Sequence, residues 1–339
     1  MEMNAENIYP LVSLILPTYN VYPYLAQCLD SILLQTYKNI EVIIVIDGAT
    51  DGSYELAKKY ANKDKRFVVY WQENAGSGSA RNNGLSHANG KFVLFIDPDD
   101  WIKEDYVERF INTQKEGDYD LVITTSEKCY FSSDNSLKRK VSLEIDENEF
   151  IGLKTVRHQY AFLLSKGLVI APTNKLYKMS LISKYDIKFP DLRRSQDFVF
   201  NYRYYDCISS VKTFNYHGYC YRIEVSKSFS KLKPDYYKTI KMLYNDTTNL
   251  LTKWDEHKNI PMIATQYTDV LSCAFESCIA TNQPISKLLE DKELQEMVKR
   301  SAPHGIIKKC FKYIYLSENV MLMKIMMKIK HFIKLKLWE

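Results

Sequence analysis

The chain has 339 residues, 46% of them hydrophobic and 26% charged, with a net charge of +5. This is the make-up of a globular protein with one large domain plus an appendage, or with two domains. So mild a charge argues against nucleic acid as a partner. The seven scattered cysteines, odd in number and without a C-x-x-C pair, argue against a disulfide framework or a zinc site and favour free thiols. The polar first ten residues, MEMNAENIYP, lack the features of a signal peptide, and no apolar run reaches ~18 residues, so no membrane span is expected and the cytoplasm is the expected compartment.

In chain order, residues 12–16 form a continuous apolar run that predicts a buried strand. Tyr24, Leu25, Cys28, Leu29, Ile32 and Leu33 then recur at helical spacing. Strands follow at 42–46, 67–71, 92–96 and 121–124, with helices at 54–61, at 80–88 and from about 103 between them. Apolar strands alternating with amphipathic helices predict a parallel sheet covered on both faces. Such sheets bind ligands beyond the carboxyl ends of their strands. Those ends carry Pro17-Thr18-Tyr19-Asn20, Asp47-Gly48, Gln72-Glu73-Asn74 and Asp97-Pro98-Asp99, whereas the opposite ends carry lysines and turn residues. The pattern predicts a nucleotide-type crevice. Residues 126–150 are polar and irregular, a loop or hairpin excursion; 155–230 return to mixed strand and helix, and helices dominate from about 231.

Asp97 and Asp99 lie two apart around a turn, so both can reach one cation, and oxygen ligands suit Mg²⁺ or Mn²⁺. The plainer reading is a type I turn followed by Asp100 capping the next helix. Asp47 ends a buried strand, where it either accepts a hydrogen bond from a nucleobase or serves only the turn. Thr50, Asp51 and Ser53 read as turn and cap residues. The glycine-rich 74–82 stretch matches neither a P-loop nor G-x-G-x-x-G; its Arg81 is a surface arginine or a partner for a diphosphate. Asp197 stands between polar residues and an apolar helical run, and spacing alone makes it an N-cap. His217 belongs to no ligand motif and is expected to be structural.

At the C-terminal end, Leu322, Ile325, Met326, Ile329, Phe332 and Ile333 form a helical stripe. Lys324, Lys328, Lys330 and Lys334 fall mostly opposite, Lys336 is off the pattern, and Trp338 is close by. A basic amphipathic helix of this kind is expected at a membrane surface, or packed on the protein's own core or a second subunit as a homo-oligomer.

Together, Val12-Ser13-Leu14-Ile15-Leu16-Pro17-Thr18-Tyr19-Asn20, the helix ending Ser31-Ile32-Leu33-Leu34-Gln35-Thr36-Tyr37, Ile46-Asp47-Gly48-Ala49-Thr50-Asp51-Gly52-Ser53, Ser79-Ala80-Arg81-Asn82, Asp97-Pro98-Asp99-Asp100, Asn174-Lys175-Leu176-Tyr177 and Gln196-Asp197 resemble the family 2 inverting glycosyltransferases of bacterial polysaccharide biosynthesis. The resemblance covers about residues 10–230. It implies an α/β fold of glycosyltransferase A type: a Rossmann-like, mostly parallel sheet with helices on both faces, plus a C-terminal helical extension. The implied division is a catalytic domain at 1–230, with a nucleotide-binding part at about 10–125 and an acceptor-binding part at about 126–230, then a helical region at 231–339.

It also implies that Pro17, Thr18, Tyr19, Asp47, Arg81 and Asp97 line the nucleotide site. Asp97 and Asp99 would hold Mn²⁺ or Mg²⁺, with Asp99 the more direct ligand, and Asp197 would be the catalytic base. The implied partners are a nucleotide-sugar donor, UDP-linked, and a saccharide acceptor carried on a lipid at the inner face of the cell membrane. The sugar moved would be a hexose or an N-acetylhexosamine. Pro98 and Ala49 stand where the family has serine, and Gln196 where it has glutamate. A nucleotidyltransferase and a non-catalytic sugar-nucleotide-binding or membrane scaffold are the alternatives.

Overall fold

A computed structural model describes residues 9–192, 195–224 and 236–336. The chain falls into two compact units, one of Met1–Gln159 with Gly167–Ser226 and one of Tyr160–Lys166 with Lys227–Glu339.

The first unit is built on a ten-stranded sheet: β1 (Val12–Thr18), β2 (Ile40–Asp47), β3 (Phe67–Gln72), β4 (Phe92–Phe95), β5 (Trp101–Ile102), β6 (Leu121–Phe131), β7 (Leu137–Ser142), β8 (Asn148–Ile151), β9 (Lys175–Lys178) and β10 (Ser210–Glu224). The order is β3-β2-β1-β4-β9-β6-β10-β5, with β7 on β6 and β8 on β10. β3, β2, β1 and β4 are mutually parallel, as are β6 and β10, while β9 runs antiparallel between β4 and β6. Every residue of β1 is buried, which is why its sequence is largely apolar and does not alternate. Helices α1 (Tyr22–Leu33), α2 (Ser53–Lys63), α3 (Ser77–His87), α4 (Tyr106–Gly117), α5 (Leu153–Ser165, whose residues from Tyr160 on belong to the second unit), α6 (Met179–Lys184) and α7 (Gln196–Asp206) lie between the strands in chain order. The core against α1 and α4 gathers Leu14, Leu16, Leu25, Leu29, Ile44, Leu94 and Phe110. Because the chain goes one way from β1 to β2 and β3 and the other way to β4, the carboxyl ends of β1 and β4 part into a crevice.

Two expectations change. The helix expected from about 103 starts at Tyr106, because Trp101 and Ile102 first pair antiparallel with Cys220 and Tyr219 of β10. Asp100 therefore does not cap that helix. It is buried and accepts hydrogen bonds from Tyr219 Oη and the Arg222 backbone N–H, each at 2.7 Å. Asp100→Ala leaves both donors unpaired, and urea unfolding is expected to show a loss of about 1–3 kcal/mol. The 126–150 excursion is a hairpin: β6 runs on to Phe131 and returns as β7.

The second unit is helical, with α8 (Tyr236–Lys253), α9 (Ile260–Ala280), α10 (Ser286–Leu289), α11 (Lys292–Arg300), α12 (Ile306–Leu316) and α13 (Val320–Lys336). Phe275, Phe311 and Tyr315 pack ring on ring at its centre. Asp291 caps α11 by accepting from the N–H groups of Glu293 and Leu294, both at 3.1 Å. No helix among the described residues is long and apolar enough to cross a membrane.

The predicted C-terminal stripe does not stay on one face. Met326 turns inward with Met323 and Met327, while Leu322, Ile325 and Ile329 turn outward. The side chains of Phe332, Ile333, Lys334, Lys336 and Trp338 lie outside the described residues.

Candidate functional site

The crevice is assembled from four loops at the carboxyl ends of the strands. At the end of β2, Asp47 is buried with its carboxylate turned towards the loop after β3. It accepts from Gln72 Nε2 at 2.7 Å and from the N–H groups of Ala75 and Gly76 at 2.9 Å each. The next residue, Gly48, has φ +69°, and a Cβ there would lie 2.8 Å from the Asn74 nitrogen, so only glycine fits the turn. Asp47 thus clasps the glycine-rich loop that opens α3. Asp51 accepts from the Tyr22 N–H at 2.8 Å and the Ser53 N–H at 3.1 Å, tying together the starts of α1 and α2. Of the β1 end, Pro17 and Thr18 are buried and Tyr19 is half exposed.

The turn after β4 closes with the Asp100 N–H donating to the Asp97 carbonyl at 3.0 Å, with Pro98 in second position. It leaves Asp97 half-buried and Asp99 exposed. Turn and acidic pair coexist.

Arg81 of α3 lies at the centre, only 4% exposed. Its Nη2 donates to Asp97 Oδ1 at 2.8 Å and its Nη1 to Asp197 Oδ1 at 2.6 Å. The guanidinium also lies against the Phe189 ring, 5.4 Å from its centre, above a cluster of Phe95, Phe189 and Phe200. Burial acts to discharge Arg81, but the Asp197 and Asp97 carboxylates outweigh it and hold the group above its ordinary pKa. Of the two readings of Arg81, a surface arginine does not hold: the side chain is a buried bridge between two carboxylates.

Asp197 is the second residue of α7, not its N-cap. The cap position is Ser195, whose φ of +62° is rare for a residue with a side chain and marks a tightly specified entry to the helix. Gln196 is buried, and its Nε2 donates to Ser77 Oγ, joining the starts of α7 and α3. A Cβ on Gly78 would lie 2.4 Å from Gln196 Oε1, so glycine permits that approach. Gln196 is thus a positioning amide. A third of the Asp197 side chain remains exposed. Burial raises its carboxyl above the ordinary value, Arg81 pulls it back, Asp97 pushes it up again, and Lys175 pulls it back.

Lys175 is fully buried, its Nζ donating to the carbonyls of Ala171 (2.6 Å) and Thr173 (3.2 Å) and to Asn174 Oδ1 (3.0 Å). Burial pushes its ammonium down to about 7, opposed by Asp197.

Two contributors, Tyr219 and Arg222, gave no signal in the sequence. Tyr219 receives the Asp97 N–H at 3.1 Å and donates to Asp100. Arg222 donates from Nε to the Asp99 carbonyl at 3.2 Å and is held among the rings of Tyr24, Trp101 and Phe131. Lys175 was visible only as part of a motif. His217 contacts the Leu143 carbonyl at 3.1 Å, away from these groups.

The donor set fits a hard divalent cation. It is all oxygen, and Asp97 commits Oδ1 to Arg81 while no partner of its Oδ2 is found among the described residues. All seven cysteines are free.

EpsH of Bacillus subtilis, named as a glycosyltransferase, is 34% identical over 249 residues, 71% of this chain and 69% of EpsH. TuaG of the same organism, named for teichuronic acid biosynthesis, is 42% identical over 104 residues, 30% of this chain and 41% of TuaG. TarS of S. aureus, solved with UDP-GlcNAc, superposes with a TM-score of 0.69 over 94% of this chain and 91% of that one; at 18% identity this likeness shows the glycosyltransferase A-type fold alone. The model of "Glycosyl transferase family 2" matches residues 13–186, half the chain, and stops short of Asp197. With the β1–β4 crevice inside that match and EpsH aligned over most of both chains, this chain belongs to glycosyl transferase family 2.

Proposed function

We propose that the chain moves a hexose or N-acetylhexosamine from a UDP sugar to a hydroxyl of a saccharide acceptor, with inversion, in the synthesis of a surface polysaccharide. The observation that carries the reading is the Arg81 bridge: it puts a partly exposed carboxylate, Asp197, on the same guanidinium as the Asp97–Asp99 turn. The UDP-GlcNAc complex of TarS and the teichuronic acid role in TuaG's name support the donor and product classes.

In this reading the donor lies across the carboxyl ends of β1 and β4, lined by Pro17, Thr18, Tyr19, Asp47 and Arg81. Asp97 and Asp99 would hold Mn²⁺ or Mg²⁺, which when bound supplies positive charge for the leaving diphosphate. Asp197 accepts the proton of the acceptor hydroxyl as that oxygen bonds to the anomeric carbon. The bond from that carbon to the diphosphate oxygen breaks on the opposite face, and UDP leaves with the electron pair. The raised carboxyl of Asp197 makes it a better base than an ordinary aspartate once it is ionised. In this reading residues 126–230 bind the acceptor, while the C-terminal 231–339 region serves a lipid-linked acceptor at the inner face of the cell membrane.

A panel of nucleotide sugars with Mn²⁺ tests this by thermal shift and product release. Stabilisation by one UDP sugar, with UDP released on adding saccharide, is expected. Pyrophosphate release, or binding without turnover against any saccharide, refutes sugar transfer.

A further inference from the structure

The second unit carries a surface that sugar transfer does not require. Helix α13 is apolar on two sides. Met323, Met326 and Met327 are buried, the ordinary inner side of an amphipathic helix. Met321, Leu322, Ile325 and Ile329 point outward, Met321 and Ile329 being 72% and 55% exposed. On α12, Ile306, Ile307 and Tyr313 are exposed as well, Ile306 at 81%. Isolated apolar residues are normal on a surface, but a group on two consecutive helices marks an interaction face.

Beside it a cavity of about 410 Å³ opens among α9, α12 and α13, lined by Thr268, Ile307, Phe311 and Met326, with Lys308 and Lys330 on its wall. That volume suits a small ligand, which such sites accept at about 300–1,000 Å³. Lys308 pairs with Asp269 at 2.5 Å and Lys330 with Glu276 at 2.7 Å, so the cavity itself is close to neutral. The surroundings are not. Residues 301–339 hold eight lysines against two glutamates, a net +6 that exceeds the +5 of the whole chain. Lys309, Lys324 and Lys328 are exposed, with no acidic partner among the described residues.

We propose that α12 and α13 dock on an anionic bilayer and that the cavity takes one acyl chain of a phosphate-headed lipid. This rests on the membrane-surface reading above and adds the lipid class, the α12 residues and the chain site. Charge complementarity selects the occupant. A two-fold contact with a second copy would set the lysines of the two faces against each other, whereas an anionic bilayer pairs them and buries the apolar side chains between.

Sedimentation of the full-length chain with phosphatidylcholine vesicles, with and without phosphatidylglycerol, tests the surface. Binding is expected to strengthen about tenfold or more with phosphatidylglycerol and to weaken as salt is added. Ile325→Asp with Ile329→Asp, and separately Lys324→Glu with Lys328→Glu, should each reduce it by about tenfold or more, with circular dichroism showing that the variants fold. Native mass spectrometry with phosphatidylglycerol should show one retained lipid, lost in Ile307→Trp, which fills the cavity mouth. Equal binding to both vesicle types, indifference to both double variants, or retention of the lipid by Ile307→Trp overturns the proposal. So does a concentration-dependent dimer abolished by the Ile325/Ile329 pair. A chain that binds vesicles but no nucleotide sugar refutes the catalytic reading and leaves this one standing.

Discussion

Asp197→Asn is expected to lower turnover by roughly 10²–10⁴-fold while UDP-sugar binding changes little, because the amide cannot accept the acceptor's proton. The geometry explains why binding survives. Asp197 touches the site through Arg81 Nη1, and an asparagine oxygen can still accept that hydrogen bond. The distinguishing readout is pH. Burial, followed by the Asp97 charge on the same side, raises the Asp197 carboxyl, against the pull of Arg81 and Lys175. The base must be ionised to work, so activity should fall on acidification through a limb above the ordinary carboxylate value of about 4. Asp197→Glu should keep an acid limb at reduced rate, whereas residual activity in Asp197→Asn should lack it. Undiminished turnover in the asparagine variant would falsify the assignment of Asp197 as base.

The same raised carboxyl bears on stability with a definite sign. A folded-state pKa above the unfolded value means that the native chain holds a proton the unfolded chain has released. Stability from this group is therefore greatest below the unfolded pKa and declines as pH rises through the folded one. The position is stabilised at low pH, where it cannot act as a base, and charged at higher pH, where it can.

What the sequence made legible follows from how local each feature is. β1, β2 and β4 and the helices beside them were readable because strands buried on both faces are largely apolar, and because helices packed on a sheet must repeat every three to four residues; β3, with only Phe67 buried, was readable from its short apolar run. The gathering of polar residues at one edge was readable for the same reason. The structural tasks of individual site residues were not. Asp100 looked like a helix cap because its partners, Tyr219 and Arg222, lie 119 and 122 residues further along, on a strand whose pairing with Trp101 and Ile102 delays the helix. Asp197 looked like an N-cap because spacing cannot reveal an arginine 116 residues earlier. Gln196 looked like a loss of charge, yet its contact with Ser77 gives it a positional role that no neighbouring residue announces. The C-terminal stripe misled in the opposite direction. A helix apolar over more than half its circumference has two apolar faces, and periodicity alone does not say that Met326 belongs to the inner and Ile329 to the outer one.

Arg81→Met should be the most damaging single change in the crevice, costing about 2–4 kcal/mol at neutral pH, because it strands two carboxylates around a buried apolar side chain. The figure sits below that for a fully buried pair since Asp97 and Asp197 keep 27% and 33% side-chain exposure and solvent screens part of the loss. Among the described residues, Phe189 lies behind the guanidinium, and Lys175 is already bonded to three oxygens. Without Arg81, burial and the Asp97 charge raise the Asp197 carboxyl further, so the folded variant holds a proton that its unfolded chain releases. Its stability must then fall as pH rises through the raised Asp197 pKa, and the gap to the wild type should widen towards neutral pH in urea unfolding. Arg81→Lys supplies one ammonium in place of a planar fork and cannot reach both carboxylates in the same geometry; it should recover part of the stability but little of the rate. A structural arginine alone predicts that rate and stability recover together in Arg81→Lys. A bridge that aims the base relative to the acidic turn predicts that they separate, since charge is restored while the distance between Asp97 and Asp197 is no longer set by one rigid group.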